Sequence, residues 1–228
     1  MAEVSELKML AGIRACDFVK SGMLVGLGTG STVRYTILEL GKRMQNEGLE
    51  IKGVPTSLAT ESLALELGIP LIELPPDKKL DIIIDGADEF DLAFNLIKGG
   101  GGALLREKIV AQRAYKMIVV ADQSKQVKTL GNFPLPIEVT PFAFECTMNE
   151  IKNILDCDVI IRKEDGNIFT TDNHNFIVDA HVGPKIENPK DVESRLLQIP
   201  GVVQVGLFVG MCDEVVLATK DGIEVLSK

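Results

Sequence analysis

Apolar residues follow two alternating rhythms through the first 130 positions. Val4, Leu7, Leu10, Ile13 and later Phe18 recur at helical spacing and predict a helix over residues 3 to about 20. Met23 to Leu27 reads as a short buried strand. It runs into Gly26-Leu27-Gly28-Thr29-Gly30-Ser31-Thr32, which opens a helix to about Asn46. The alternation continues with strands near 51–55, 70–74, 80–85 and 117–121, and with helices near 58–67 and from about 102 to 116. Residues 81–85 and 117–121 are almost continuously apolar, as expected of strands covered on both faces. Short strands alternating with helices predict a mainly parallel, Rossmann-like α/β sheet flanked by helices.

The pattern changes near residue 131. Phe133-Pro134-Leu135-Pro136 and Pro141 punctuate the chain. Beyond them come a helix near 143–155, strands near 158–163, 167–171 and 175–180, a helix near 189–198 and a strand from Val202. Asp165-Gly166 and Asp172-Asn173 supply turns between the strands. The order suggests a small α+β lobe, ferredoxin-like in pattern. Glu214–Ala218 and Ile223–Leu226 then look like strands returning to the first sheet. The expected organisation is a Rossmann-like domain of residues 1–130 and 205–228, with an inserted α+β lobe of residues 131–204.

Composition narrows the function classes. The 228 residues are 46% hydrophobic and 25% charged, enough for a sizeable core. No apolar run reaches the roughly 18–20 residues needed to cross a bilayer, so no membrane partner is expected. Met-Ala-Glu-Val-Ser-Glu does not read as a signal peptide. Cys16, Cys146, Cys157 and Cys212 are widely spaced, which argues against a disulfide framework or a zinc site and for a reducing cytoplasm. A net charge of −9 disfavours nucleic acid as partner, although a local cluster of donors could still hold a small anion. With two histidines and no tryptophan, catalysis would rest on carboxylates and lysines.

Four segments carry candidate chemistry. In Gly26–Thr32 a strand enters a glycine turn and then a helix, a geometry that aims backbone N–H groups at an anion, with the hydroxyls of Thr29, Ser31 and Thr32 beside Gly30. The alternative is a tight turn with a Ser/Thr helix cap. Asp85-Gly86-Ala87-Asp88-Glu89 places two carboxylates at the carboxyl end of a buried strand, where open α/β sheets bind ligands. Such a pair suits one proton donor and one acceptor, or else an acidic turn. Lys98-Gly99-Gly100-Gly101-Gly102 precedes a helix on which Ala103, Val110, Ala111 and Ala114 share one arc, with Glu107 at its centre. Glu107 is there either ion-paired or poised as a base. Lys125 follows another buried strand and is either an anion ligand or a solvated lysine. His174 and His181 lack companion ligands, so no metal is expected.

Taken jointly and in order, these segments resemble ribose-5-phosphate isomerase, type A. Residues 26–32, 85–89, 98–108 and 122–127 carry the likeness, with Phe133–Val139, Thr171–Asn173 and Pro200–Val203 adding to it. The resemblance covers essentially the whole chain. It implies interconversion of ribose 5-phosphate and ribulose 5-phosphate in the non-oxidative pentose phosphate pathway, without metal or organic cofactor. It implies Glu107 as the base that moves a proton between C2 and C1 through an enediol(ate), and Lys98 with Gly99, Gly100 and Gly101 as oxyanion stabilisers. Asp85 and Asp88, beside Gly86 and Ala87, would serve ring opening and proton handling. Thr29–Thr32 would belong to the substrate loop, and Lys125 would be a substrate lysine. The matched motifs leave open which of the last two holds the phosphate; the anion argument favours the glycine loop. A homodimer or homotetramer is implied as well. His174 stands where family members commonly carry glycine, which touches only local turn geometry.

Two other readings compete. A non-catalytic sugar-phosphate sensor would need a phosphate site but not an acid–base set, and would usually carry a DNA-binding helix-turn-helix. A dinucleotide-dependent oxidoreductase is disfavoured by Ser31 at the third glycine position of Gly-x-Gly-x-x-Gly.

Overall fold

The computed structural model describes residues 2–228, with side chains from Val4 onward. In chain order the first elements are α1 (Ala2–Ala15), β1 (Leu24–Leu27), α2 (Val33–Glu47), β2 (Lys52–Pro55), α3 (Leu58–Glu66) and β3 (Ile82–Gly86). Then come β4 (Glu89–Phe90), β5 (Leu96–Ile97), α4 (Leu104–Gln112), β6 (Met117–Asp122), β7 (Leu135–Val139), α5 (Phe144–Leu155) and β8 (Asp158–Ile161). The rest are β9 (Lys163–Glu164), β10 (Asn167–Ile168), β11 (Phe176–His181), α6 (Pro189–Leu196), β12 (Val202–Val205), β13 (Leu207–Phe208), β14 (Glu214–Thr219) and β15 (Gly222–Ser227). No helix among the described residues is long and apolar enough to cross a membrane.

The chain forms two compact units. The first runs up to Ala87 and adds Arg106–Lys125 and Met211–Lys228. Its sheet has the order β15-β14-β6-β3-β1-β2, parallel throughout except for the edge strand β15. β1, β3 and β6 carry almost unbroken apolar runs because helices cover both faces. The chain leaves β1 toward β2 and later returns on the other side of β1 as β3. The loops after β1 and β3 therefore diverge at a switch point, where such sheets open a crevice beyond the strand ends.

The buried face of α1 differs from the expected one. Leu7, Ala11 and Ala15 are buried, whereas Val4 and Leu10 are exposed. Small residues decide this: a Cβ on Gly12 would lie 2.8 Å from the Tyr35 Cβ, so α1 packs closely on α2. The expected strand over 70–74 shrinks to one bridge between Leu71 and Gly53, bounded by Pro70, Pro75 and Pro76, which cannot donate to a ladder. The helix expected to reach 116 stops at Gln112, where the backbone leaves it to pair Leu80 with Ala114.

The second unit comprises Asp88–Leu105 and Gln126–Gly210, wider than 131–204. It includes residues 88–105 because β5 pairs with both β4 and β13. Buried Glu89 adds a tie, accepting the N–H groups of Gly131 at 2.8 Å and Phe133 at 2.6 Å. The main sheet of this unit has the antiparallel order β12-β7-β11-β8, with α5 and α6 in the connections. That is the ferredoxin-like order, and its first strand is β7, in a segment read from sequence only as proline punctuation. The strands expected over 158–163 and 167–171 are shorter, because Lys163–Glu164 and Asn167–Ile168 form a separate two-stranded hairpin.

Candidate active site

In the first unit, β1 delivers Gly28–Thr32 to the switch point. The Thr29 N–H donates to Asp85 Oδ1 at 3.1 Å, and the Gly86 N–H donates to the same oxygen at 2.8 Å. Asp85 is 0% exposed at the end of β3. A side chain on Gly28 would collide with that carboxylate, so glycine here is demanded by a close approach.

The helix-cap reading of this loop is not realised. Thr32 precedes α2 in helical conformation and its hydroxyl makes no capping bond. Among the described residues, the N–H groups of Gly30, Ser31 and Thr32 donate to no protein acceptor. Free amides at a helix start are donors able to receive an anion. Lys8, not anticipated from sequence, donates from α1 to Ser31 Oγ at 2.9 Å. Thr29 Oγ1 lies 2.7 Å from Thr56 Oγ1 and donates to Ser57 Oγ at 2.8 Å, and Thr60 Oγ1 donates to the Gly28 carbonyl at 2.8 Å. These hydroxyls, of which those of Thr56, Ser57 and Thr60 are buried, fix the loop. Pro55-Thr56-Ser57 was the available signal, a second strand-to-helix turn directly after β2.

Lys125 lies partly exposed in a short turn after β6. Buried Asp122 shapes that turn by accepting both the N–H of Ser124, at 2.9 Å, and its hydroxyl. Glu107 sits in the first turn of α4 and is 4% exposed, on the arc with Ala103, Val110 and Ala111 that the periodicity predicted. Ala114 falls beyond the end of the helix. Lys108 is buried too, which its place at the end of a motif did not signal.

In the second unit, Lys98 follows β5, and its N–H donates to the Gly206 carbonyl at 2.8 Å. At 2% exposure it is not a solvated loop lysine, and its Nζ lies 5.4 Å from the centroid of the Phe208 ring. Asp88 Oδ2 accepts the Gly100 N–H at 2.7 Å. This unit thus brings Lys98, Asp88 and the glycine run together, and the first unit brings Asp85 to the Thr29–Thr32 loop. Ala87 and Gly86 link the two carboxylates in sequence. His174 is exposed in left-handed conformation, φ 62°, a backbone state that favours glycine. Among the described residues no group of three or more His, Cys, Asp or Glu could hold a metal ion.

The model of the ribose 5-phosphate isomerase A (phosphoriboisomerase A) family matches residues 52–222. The chain belongs to this family. It is similar to ribose-5-phosphate isomerase A of Bacillus mycoides, 51% identical over 96% of this chain and 98% of the relative. The relative from Roseobacter denitrificans is 48% identical over 97% of this chain and 87% of its own length. Among solved structures, ribose 5-phosphate isomerase from Plasmodium falciparum superposes with a TM-score of 0.96 at 39% identity, covering 98% of this chain and 99% of that one. A D-ribose-5-phosphate isomerase in complex with phospho-erythronic acid superposes with a TM-score of 0.94 at 40% identity, covering 99% of each chain. The ribose-5-phosphate isomerase A fold therefore extends over essentially the whole molecule.

Proposed function

We propose that this chain interconverts D-ribose 5-phosphate and D-ribulose 5-phosphate, with Glu107 as the base. The observation that carries the reading is the burial of both Glu107 and Lys98, the charged residues flanking the tetraglycine run, in a chain of this family. Buried charges are costly to desolvate, and proteins concentrate them at functional sites. Glu107 takes the proton from C2 of the open-chain aldose, and the electron pair forms the C1–C2 double bond while charge builds on O1. O1 is then protonated, O2 gives up its proton and becomes the carbonyl, and Glu107 returns the carried proton to C1.

Lys98 and the glycine amides stabilise the charge on oxygen, a contribution of several kcal/mol when donors are preorganised (about 3 for a single one). Asp85 and Asp88 open the furanose ring and shuttle the hydroxyl protons. The amides and hydroxyls of Thr29–Thr32 hold the phosphate, with Lys8, bonded to Ser31, as a neighbouring cation and Lys125 as a further substrate lysine. The relative solved with phospho-erythronic acid, whose carboxylate lies at the end opposite its phosphate, supports a site that takes a sugar phosphate and tolerates negative charge on oxygen at the reacting end.

The test is a coupled assay with ribose 5-phosphate on the unaltered chain and on Glu107→Gln, each with and without chelator. Expected is turnover indifferent to chelator that falls by roughly 10²–10⁴-fold in the variant while substrate still binds. Full activity in Glu107→Gln overturns the base assignment. Binding without any turnover in the unaltered chain favours a sugar-phosphate sensor.

A further inference from the structure

Arg162, between β8 and β9, uses both edges of its guanidinium. One edge forks onto Asp179 of β11, with Nε donating to Oδ2 at 2.9 Å and Nη2 to Oδ1. At the other edge, Nη1 donates to the carbonyls of Gly99 at 2.7 Å and Gly100 at 3.1 Å. The Arg162 and Asp179 side chains are 15% and 19% exposed. Phe169 completes the clamp. The guanidinium carbon lies 5.9 Å from its ring centroid, and the same ring sits so close to Gly102 that a Cβ there would collide with it.

Peptide geometry turns this clamp into a direction. No peptide bond among the described residues is cis, and a trans peptide points its N–H opposite to its C=O. The unit joining Gly99 to Gly100 gives its carbonyl to Arg162 and its N–H to Asp88 Oδ2, at 2.7 Å. The next unit also gives its carbonyl to Arg162, so the Gly101 N–H must point away from the arginine. Gly101 is exposed, and among the described residues its N–H donates to no protein acceptor. Four glycines in succession would otherwise leave these peptide planes free to rotate.

We propose that Arg162, oriented by Asp179, is a positioning residue of the isomerase: it fixes the peptide planes of the glycine run so that the Gly101 N–H is held ready as a donor to an oxygen of the sugar phosphate. This rests on the isomerase reading above. A donor fixed before the reaction needs no reorganisation when charge develops on oxygen. The guanidinium also draws electron density from both carbonyls, which strengthens the N–H of the same peptide units as donors. Lysine cannot replace it, because a single ammonium lacks the planar fork that spans a carboxylate and two carbonyls at once.

The experiment compares kcat and KM for ribose 5-phosphate in the unaltered chain, Arg162→Ala, Arg162→Lys, Asp179→Asn and Glu107→Gln, with circular dichroism on each. Arg162→Ala should lose about 10- to 100-fold in kcat with KM changed less than about 3-fold, the pattern of a lost transition-state interaction. Arg162→Lys should recover little, and Asp179→Asn should fall in between. Guanidinium ion at sub-denaturing concentration should restore part of the Arg162→Ala activity and none of the Glu107→Gln activity. A folded Arg162→Ala with unchanged kcat, or one whose loss guanidinium does not relieve, overturns the proposal. If Arg162→Ala does not fold, an unchanged kcat in both Arg162→Lys and Asp179→Asn overturns it as well. Absence of turnover in the unaltered chain counts against the isomerase reading instead.

Discussion

Gly100 shows how narrowly individual side chains are constrained in this molecule. A Cβ there would lie 2.5 Å from Asp88 Oδ1, so Gly100→Ala must displace the carboxylate that accepts its own N–H. The expected outcome is a loss of about tenfold or more in kcat/KM with little change in the unfolding midpoint, since only a surface loop shifts. Thr32→Ala should instead raise KM for ribose 5-phosphate more than it lowers kcat, because ground-state contacts to a phosphate act on binding. An unchanged KM would remove Thr32 from the phosphate site. The thiols give a pH-dependent prediction. Burial pushes Cys16 and Cys212 up from 9.0 to about 12, so in the folded chain both stay protonated where unfolded thiols ionise. Their contribution is intact below pH 9 and is lost as pH rises toward 12, at about 1.4 kcal/mol per pH unit for each thiol. Urea titrations between pH 8 and 11 should show a shallower decline in a Cys16→Ala/Cys212→Ala variant than in the unaltered chain. Equal slopes would refute this.

At the scale of elements, strand β7 shows why part of the fold was legible and part was not. β1, β3 and β6 announce themselves as apolar runs because both their faces are buried. Pro134 and Pro136 hid β7, since proline is ordinarily excluded from central strands. Pro136 is tolerated because the ladder there uses its carbonyl, which accepts from Gly206 at 2.8 Å. In the same way, the arc through Ala103, Glu107, Val110 and Ala111 could be read from helical period alone. The Arg162 clamp could not, because 62 residues separate the arginine from the glycine loop it holds. Strand β7 also carries Glu138, fully buried, whose Oε1 accepts from Thr171 Oγ1 at 3.0 Å and Asn175 Nδ2 at 2.9 Å. Glu138→Ala should destabilise the chain by about 3 kcal/mol, because it strands those donors; Glu138→Gln keeps an acceptor and should cost clearly less. Unfolding midpoints in urea would show whether the two differ.

At the scale of the molecule, the second unit depends on a piece of chain remote in sequence. Its sheet pairing through β5 and the Glu89 carboxylate both come from residues 88–105. A fragment of residues 126–210 alone leaves β13 without its partner and the Gly131 and Phe133 amides without their acceptor. It should give a dispersed, protected amide spectrum only when a peptide of residues 88–105 is added. A well-folded 126–210 fragment on its own would overturn that dependence.

The division of the chain into units has a consequence for inheritance. The chain passes between units after residues 87, 105, 125 and 210, and helix α4 begins in one unit and ends in the other. A single genetic crossover between two relatives cannot exchange either unit whole. Nearly every chimera would join halves of different ancestry inside a sheet or at the helix that carries Glu107. Shuffling between relatives therefore offers this chain no simple route to exchanging one unit for another.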